Sequence, residues 1–137
     1  MDVTSIPFAK HIGIEYKEMT TLKLEPTTMV QNHIETIHAS AQFALAETQS
    51  GLYLEQNFET LENKVVALLR SSSVKFKSPA SSTIVAHASI DEAEKEKFLK
   101  RLERKGRATI LVEVKVYDVE DVCTMQGTFT WFVQKRI

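Results

Sequence analysis

A chain with one cysteine, Cys123, can close no internal disulfide and offers no ligand spacing for a metal, so that residue reads as a small apolar core member on a strand. Glycine and proline are also scarce, four and three in 137 residues, and well dispersed. There is therefore no linker, low-complexity run or internal repeat, and residues 1–137 read as one domain able to bury a useful core. Neither sign of charge dominates, with 17 Lys and Arg against 18 Asp and Glu and a net charge of -1. The broad basic stripe that nucleic acid demands is missing, and nucleic acid is set aside as a partner. No apolar run approaches the roughly 18 residues that span a bilayer. The start, MDVTSIPF, has an acid at position 2 and no charged-then-apolar signal pattern. The expectation is a soluble, cytoplasmic protein with no membrane partner, and nothing in the sequence implies a cofactor or metal.

What the chain does have is periodicity. Over residues 11–29, HIGIEYKEMTTLKLEPTTM mixes β-branched and charged residues loosely, as an edge strand or bent hairpin would. From residue 37 to about 55 the positions Ile37, Ala41, Ala44, Leu45, Thr48 and Leu52 recur at the helical period, predicting one long helix, polar-poor on every side, with Thr36 or His38 at its cap. Residues 63–78 and 82–90 alternate in the strand manner, and Ile84, Ala86, Ala88 and Ile90 share one face. A capping box from Ser89 to Glu92 opens a short surface helix, EAEKEKFLKRLERKG. It carries Phe98, Leu99 and Leu102 on one stripe, pairs such as Glu96 with Lys100, and a stop at Gly106. Ile110, Val112, Val114 and Val116 then alternate against Leu111, Glu113, Lys115 and Tyr117, and after the acidic turn DVED residues 122–133 alternate again, giving a long hairpin. The sum is an α+β fold, one long helix lying across an antiparallel sheet of about five or six strands. The far side of so apolar a helix lacks cover, which predicts a second copy of the chain against it, as a homodimer or a dimer of dimers.

One acid interrupts that apolar helix. In NHIETIHASAQFALAETQSG, residues 32–51, Glu47 is the one formal charge within residues 39–54. Carboxylates are almost never buried unpaired, so such a setting marks Glu47 as a candidate for catalysis over a solvated helix residue. The stretch resembles the central signature of hotdog-fold thioesterases of the phenylacetate-pathway type. That signature is an Asn or Gln, then six residues later His-Gly-Gly, then a helix containing Leu-Ala-Asp or Leu-Ala-Glu. Its parts here are Asn32, His38-Ala39-Ser40 and Leu45-Ala46-Glu47. SVKFKSPA, TIVAHASI and KGRATILVEVKVYD follow that family's order of strands, so the resemblance covers roughly residues 10–133. Two positions differ: Ala39 and Ser40 replace the paired glycines, and the Thr or Ser that some members carry one turn beyond the acid falls at Gly51. The helix near residues 91–105 resembles that of a less characterised branch of the superfamily. The resemblance implies the hotdog fold, an acyl-CoA or related acyl thioester as substrate, and sites shared between subunits.

The chemistry follows from the residues. A thioester carbonyl needs its oxygen stabilised as negative charge develops, while its thiolate, with a pKa near about 8.5, leaves with little help from an acid. Unpaired N–H groups at a helix start sit at its positive end, so the Ala39 N–H is the natural donor to that oxygen. Glu47 would activate water or attack the carbonyl itself. Asn32 holds water or its own loop, and His38 acts directly or orients the helix start. Ser40 and Thr48 are candidates for hydrogen bonds to substrate, although helix hydroxyls commonly bond to their own backbone. Trp131 and Phe129 read as sheet core. Lys75, Lys77, Arg104, Lys105 and Arg107 read as solvated charges or as contacts to coenzyme A phosphates. Eight residues separate Ala39 from Glu47, about 12 Å along one helix at about 1.5 Å per residue. One chain cannot bring both to one carbonyl, whereas two antiparallel helices can, with Glu47 of one facing Asn32 and Ala39 of the other and two sites per dimer. The competing reading is a hotdog protein that binds acyl thioesters or acyl-CoA without turning them over. A hotdog dehydratase fits less well, because His38 and Glu47 match the spacing of its motif poorly.

Overall fold

The computed structural model describes residues 1–137. Two short strands, β1 (Glu15–Glu18) and β2 (Thr21–Leu24), make the antiparallel hairpin expected within residues 11–29. Before them stands a helix the sequence reading did not include, α1 (Pro7–Ile12), with Pro7 at its start and Gly13, at φ 88°, closing it in the left-handed conformation. Those two residues were its only signals, because six residues are too few for an apolar period to show. The long helix α2 (Ala39–Asn57) follows, then β3 (Val65–Phe76), β4 (Ile84–Ser89), α3 (Glu92–Lys105), β5 (Arg107–Tyr117) and β6 (Cys123–Lys135). All six strands form one sheet of order β1-β2-β4-β5-β6-β3, with every pairing antiparallel. This is the α+β hotdog arrangement, a curled sheet around one long helix. β3 does not neighbour β4 but crosses to the far edge, beside β6. There Gly127 is required by space, since a Cβ would lie 2.6 Å from Val74 Cγ1 and 2.9 Å from the Ser73 carbonyl oxygen.

Strand alternation aims the sheet at the helix. Ala108, Ile110, Val112, Val114 and Val116 of β5 are buried while their neighbours face outward, so one apolar face covers α2 and the other meets water. Gln49, fully buried in α2, accepts from the Leu22 N–H at 2.7 Å and donates to the Thr20 carbonyl at 2.9 Å, tying the β1–β2 turn to the helix. The sheet, α1 and a 3-10 turn at Val3–Ser5 enclose α2 more fully than its composition suggested. Between its ends, a half-open stripe is formed by Phe43, Glu47 and Gly51, at i, i+4 and i+8. The sheet's other unfinished side is β3 itself, an edge strand of 12 residues. Its Val66, Leu68 and Phe76 are 40, 61 and 45 % exposed.

Helix α3 shares the concave face with the end of α2. Phe98 and Leu102 pack with Ala108, Ile110 and Val133 and with Leu54 and Phe58. The Phe58 and Phe98 rings lie 5.1 Å apart. Three local expectations are corrected here. Leu99 is off the buried stripe, about 100° around the helix from Phe98, and stands exposed. The cap is Asp91, whose carboxylate accepts from the Glu94 N–H at 3.0 Å, while Ser89 ends β4. The ion pair formed is Glu94 with Lys97, at 3.5 Å, in place of Glu96 with Lys100. Cys123 is likewise half-exposed at the start of β6, its thiol donating to the Met125 carbonyl at 3.3 Å, because the strand begins at the rim of the sheet and not in its core. No helix is long and apolar enough to cross a membrane.

Candidate active site

The loop before α2 is held by Asn32. Its Oδ1 accepts from the N–H groups of Ile34 and Thr36, both at 3.0 Å, and its Nδ2 donates to Thr36 Oγ1 at 2.8 Å. This self-closed turn places Glu35 at φ 62° and leaves the Asn32 side chain one free amide hydrogen. The Ile37 N–H bonds the Ala80 carbonyl and the His38 N–H bonds the Val30 carbonyl, each at 2.8 Å, so the chain turns into helix after residue 38. Helix formation thus starts at Ala39 and not at Ile37. Of the two expected caps His38 serves: its Nδ1 accepts from the Ser40 N–H at 3.0 Å. The Ala39 N–H, at the positive end of a 19-residue helix, meets no acceptor within the chain and lies at the surface. The Ser40 hydroxyl is exposed beside it.

Two turns along α2, the Glu47 carboxylate is half-buried and meets no donor, ammonium or guanidinium of its own chain. Burial raises its pKa above the ordinary 4.5. It forms part of the wall of a cavity of about 540 Å³, within the range of small-molecule sites. The remaining walls are mainly apolar: Gly51 and Leu54 from α2 and Phe58 just past its end, Val65 and Ala67 from β3, Trp131 and Val133 from β6, Phe98 from α3, and Val3, Ile6 and Phe8 from the first turns of the chain, with Glu55, Glu62, Asn63 and Arg136 as polar members. Thr48 also lines it, but its hydroxyl donates to the Ala44 carbonyl at 2.7 Å, the local bond common to helix hydroxyls.

Trp131 was expected in the sheet core with Phe129. Phe129 is there, fully buried and 5.5 Å from the Phe43 ring. Trp131 is only half-buried, and its indole lines the cavity. Its Nε1 donates to Ser50 Oγ at 2.9 Å, and that hydroxyl donates to the Glu47 carbonyl oxygen at 2.6 Å, so the ring is pinned to the same helix turn as the acid. Gly51 lies against it: a Cβ there would be 3.4 Å from the ring. The sequence contained a signal for this, since an indole on an inward strand position needs an acceptor for its N–H.

The expected site residues therefore fall into two groups. Asn32, His38, Ala39 and Ser40 gather at the helix start, and Glu47 and Thr48 face the cavity, whose lining includes none of the first four. Lys75, Lys77, Arg104, Lys105 and Arg107 are all exposed. No three His, Cys, Asp or Glu side chains cluster as metal ligands.

The family model for DUF4442, a domain of unknown function, matches residues 3–133. No curated protein matches the chain by sequence. Solved structures share its fold. A Pseudomonas aeruginosa protein of unknown function, described as a probable thioesterase, superposes with a TM-score of 0.84 at 18 % identity, covering 98 % of this chain and 91 % of that one. A Bacillus halodurans protein solved with CoA gives 0.72 at 21 % identity, covering 92 % of this chain and 74 % of that one. A thioesterase enzyme of Staphylococcus aureus, solved as a variant with a glutamine replaced by alanine, gives 0.72 at 16 % identity over 93 % and 98 % of the two chains. At these identities the likeness is one of fold.

Proposed function

The chain belongs to the DUF4442 family, and on that footing we propose that it is an acyl-CoA thioesterase whose site is shared between two copies of the chain. The observation that carries this is Glu47, a carboxylate half-buried without a partner in the wall of an apolar cavity. A base whose pKa is lifted toward the working pH suits general-base catalysis. Fold relatives described as thioesterases, and one solved with CoA, support the substrate class.

In this reading Glu47 of one copy faces Asn32 and Ala39 of the other. The Ala39 N–H polarises the thioester carbonyl, with Asn32 and His38 holding the helix start in place. Glu47 removes a proton from water as the water oxygen bonds to the carbonyl carbon. Collapse of the tetrahedral adduct breaks the C–S bond and releases coenzyme A thiolate. Alternatively the carboxylate itself attacks, the thiolate leaves, and water hydrolyses the resulting anhydride. Ser40 and Thr48 contribute to substrate binding, and the reaction consumes only water. Residues 1–137 act as one cytoplasmic domain without nucleic acid or membrane.

The dimer this requires is supported by the same stretch of surface. The open edge of β3 offers unpaired backbone groups along 12 residues with apolar side chains beside them, an edge that an isolated chain leaves prone to pairing. The half-open stripe of α2 gives a second patch, and a homodimer or a dimer of dimers covers both.

One observation favours a second reading, binding without turnover: the Ser40 N–H is already bonded to His38, leaving one free donor at the helix start. Thiol release from a panel of acyl-CoA esters, set against direct binding of coenzyme A, separates the two. Release supports hydrolysis, and binding without release on any member supports the second.

A further inference from the structure

The cavity does not stop at Glu47 but runs on as a furrow beside α2. Glu47, Gly51 and Leu54 of α2, with Phe58 just past its end, at i, i+4, i+7 and i+11, form one wall. Ala67 and Trp131 stand across from them. Phe58 and Phe98, both buried and with ring centroids 5.1 Å apart, line the furrow at the end of α2. Eleven residues separate Glu47 from Phe58, about 16 Å at about 1.5 Å of rise each. A saturated chain with C–C bonds of about 1.52 Å and angles near 111° advances about 1.25 Å per bond. About thirteen bonds fit.

We propose that this furrow holds a straight-chain acyl group of about ten to fourteen carbons, and that Gly51 sets this specificity by leaving the furrow open one turn beyond the acid. The proposal rests on the thioester lying at Glu47. Glycine within a helix is unfavourable, so its presence at the centre of α2 calls for a reason other than helix stability. Space supplies one. A Cβ at Gly51 meets the Trp131 ring at 3.4 and 3.5 Å, ordinary contact, so a methyl fits but a longer side chain must enter the furrow. Trp131 cannot easily swing aside to make room, because its Nε1 is bonded to Ser50 at 2.9 Å. The walls beyond Gly51 are mainly apolar, presenting Leu54, Phe58, Val65 and Val133, with Asn63 and Arg136 among the few polar groups that line them. A compact aromatic acyl group would fill little more than the first turn of the furrow.

The test needs no turnover. S-alkyl thioethers of coenzyme A, from ethyl to hexadecyl, cannot be hydrolysed, and Trp131, the one tryptophan of the chain, reports filling of the furrow by its fluorescence. Affinity is expected to rise by up to about fourfold per methylene and to level off near twelve to fourteen carbons. Gly51→Leu should lower the ratio of dodecyl to butyl affinity at least tenfold. Ala67→Phe, on the opposite wall and in β3, should do the same in a protein whose oligomeric state matches wild type. Affinity that ignores chain length, a phenylethyl thioether that binds as tightly as the dodecyl one, or an unchanged ratio in both variants would overturn the proposal. Chain-length-dependent binding in a protein that releases no thiol would keep the furrow and remove the hydrolysis. Turnover without chain-length dependence would do the reverse.

Discussion

Replacing Glu47 by glutamine keeps the shape of the side chain and removes its charge, and activity and stability should then move in opposite directions. The carboxylate has lost part of its water and gained no partner within its chain, so burial holds its pKa above 4.5. The folded chain consequently holds this proton more tightly than the unfolded chain. By linkage, the stability that the neutral form contributes is fully present below pH 4.5 and is lost as pH rises through the raised folded value. Above that raised value the ionised wild type carries the penalty, and the uncharged amide of the variant carries none. The variant should therefore melt higher at pH 7, by a margin that water around the half-exposed group keeps modest, and the difference should vanish below pH 4.5. Turnover should fall about 10²–10⁴-fold, equivalent to about 2.7–5.4 kcal/mol of barrier. Denaturant unfolding across the acid range and thiol release at pH 7 measure the two effects. Activity within a fewfold of wild type, or a variant less stable at pH 7, would refute the reasoning, because a group held for chemistry is retained at the expense of stability.

The free donor at the helix start is reached through the backbone. Ala39→Pro deletes that N–H at the first helical position, where no intrahelical bond is lost, so circular dichroism should be unchanged while turnover drops about 10²–10³-fold. Ala39→Gly should match or exceed wild type. In solution, light scattering at micromolar concentration should give at least a dimer, and amides of residues 32–55 and of β3 should exchange more slowly than in a diluted monomeric sample; a monomer throughout would remove the second copy from the account.

The strongest signals in the sequence were those carried by long periods. Alternation in β5 and β6 and the apolar period of α2 predicted the sheet and the central helix, because each element buries one face over many residues. The six-residue α1 had no room for a period, and its proline and glycine were its only trace. Capping was legible in kind but not in position: both Ser89 and Asp91 are competent caps, and the end of β4 decides between them. The pairing of β3 with β6 is a long-range choice that no local pattern encodes. At the candidate site Glu47 stood out because charge was absent around it, and His38 because a cap was needed. Trp131 did not, since its relation to Glu47 passes through Ser50 and across 81 residues of chain, and nothing local to Gly51 told that it lies against that ring.

The shared site is tested most directly by mixing two inactive proteins. Ala39→Pro and Glu47→Gln copies, unfolded together and refolded at equal concentration, form heterodimers as about half of all dimers. In each heterodimer one site combines an intact Ala39 from one copy with an intact Glu47 from the other, and the second site has lost both. Activity should recover to about one quarter of the wild-type value per protomer from parents that each show almost none. A mixture no more active than its parents would mean that Ala39 and Glu47 do not meet across two copies, and the proposed site would be wrong.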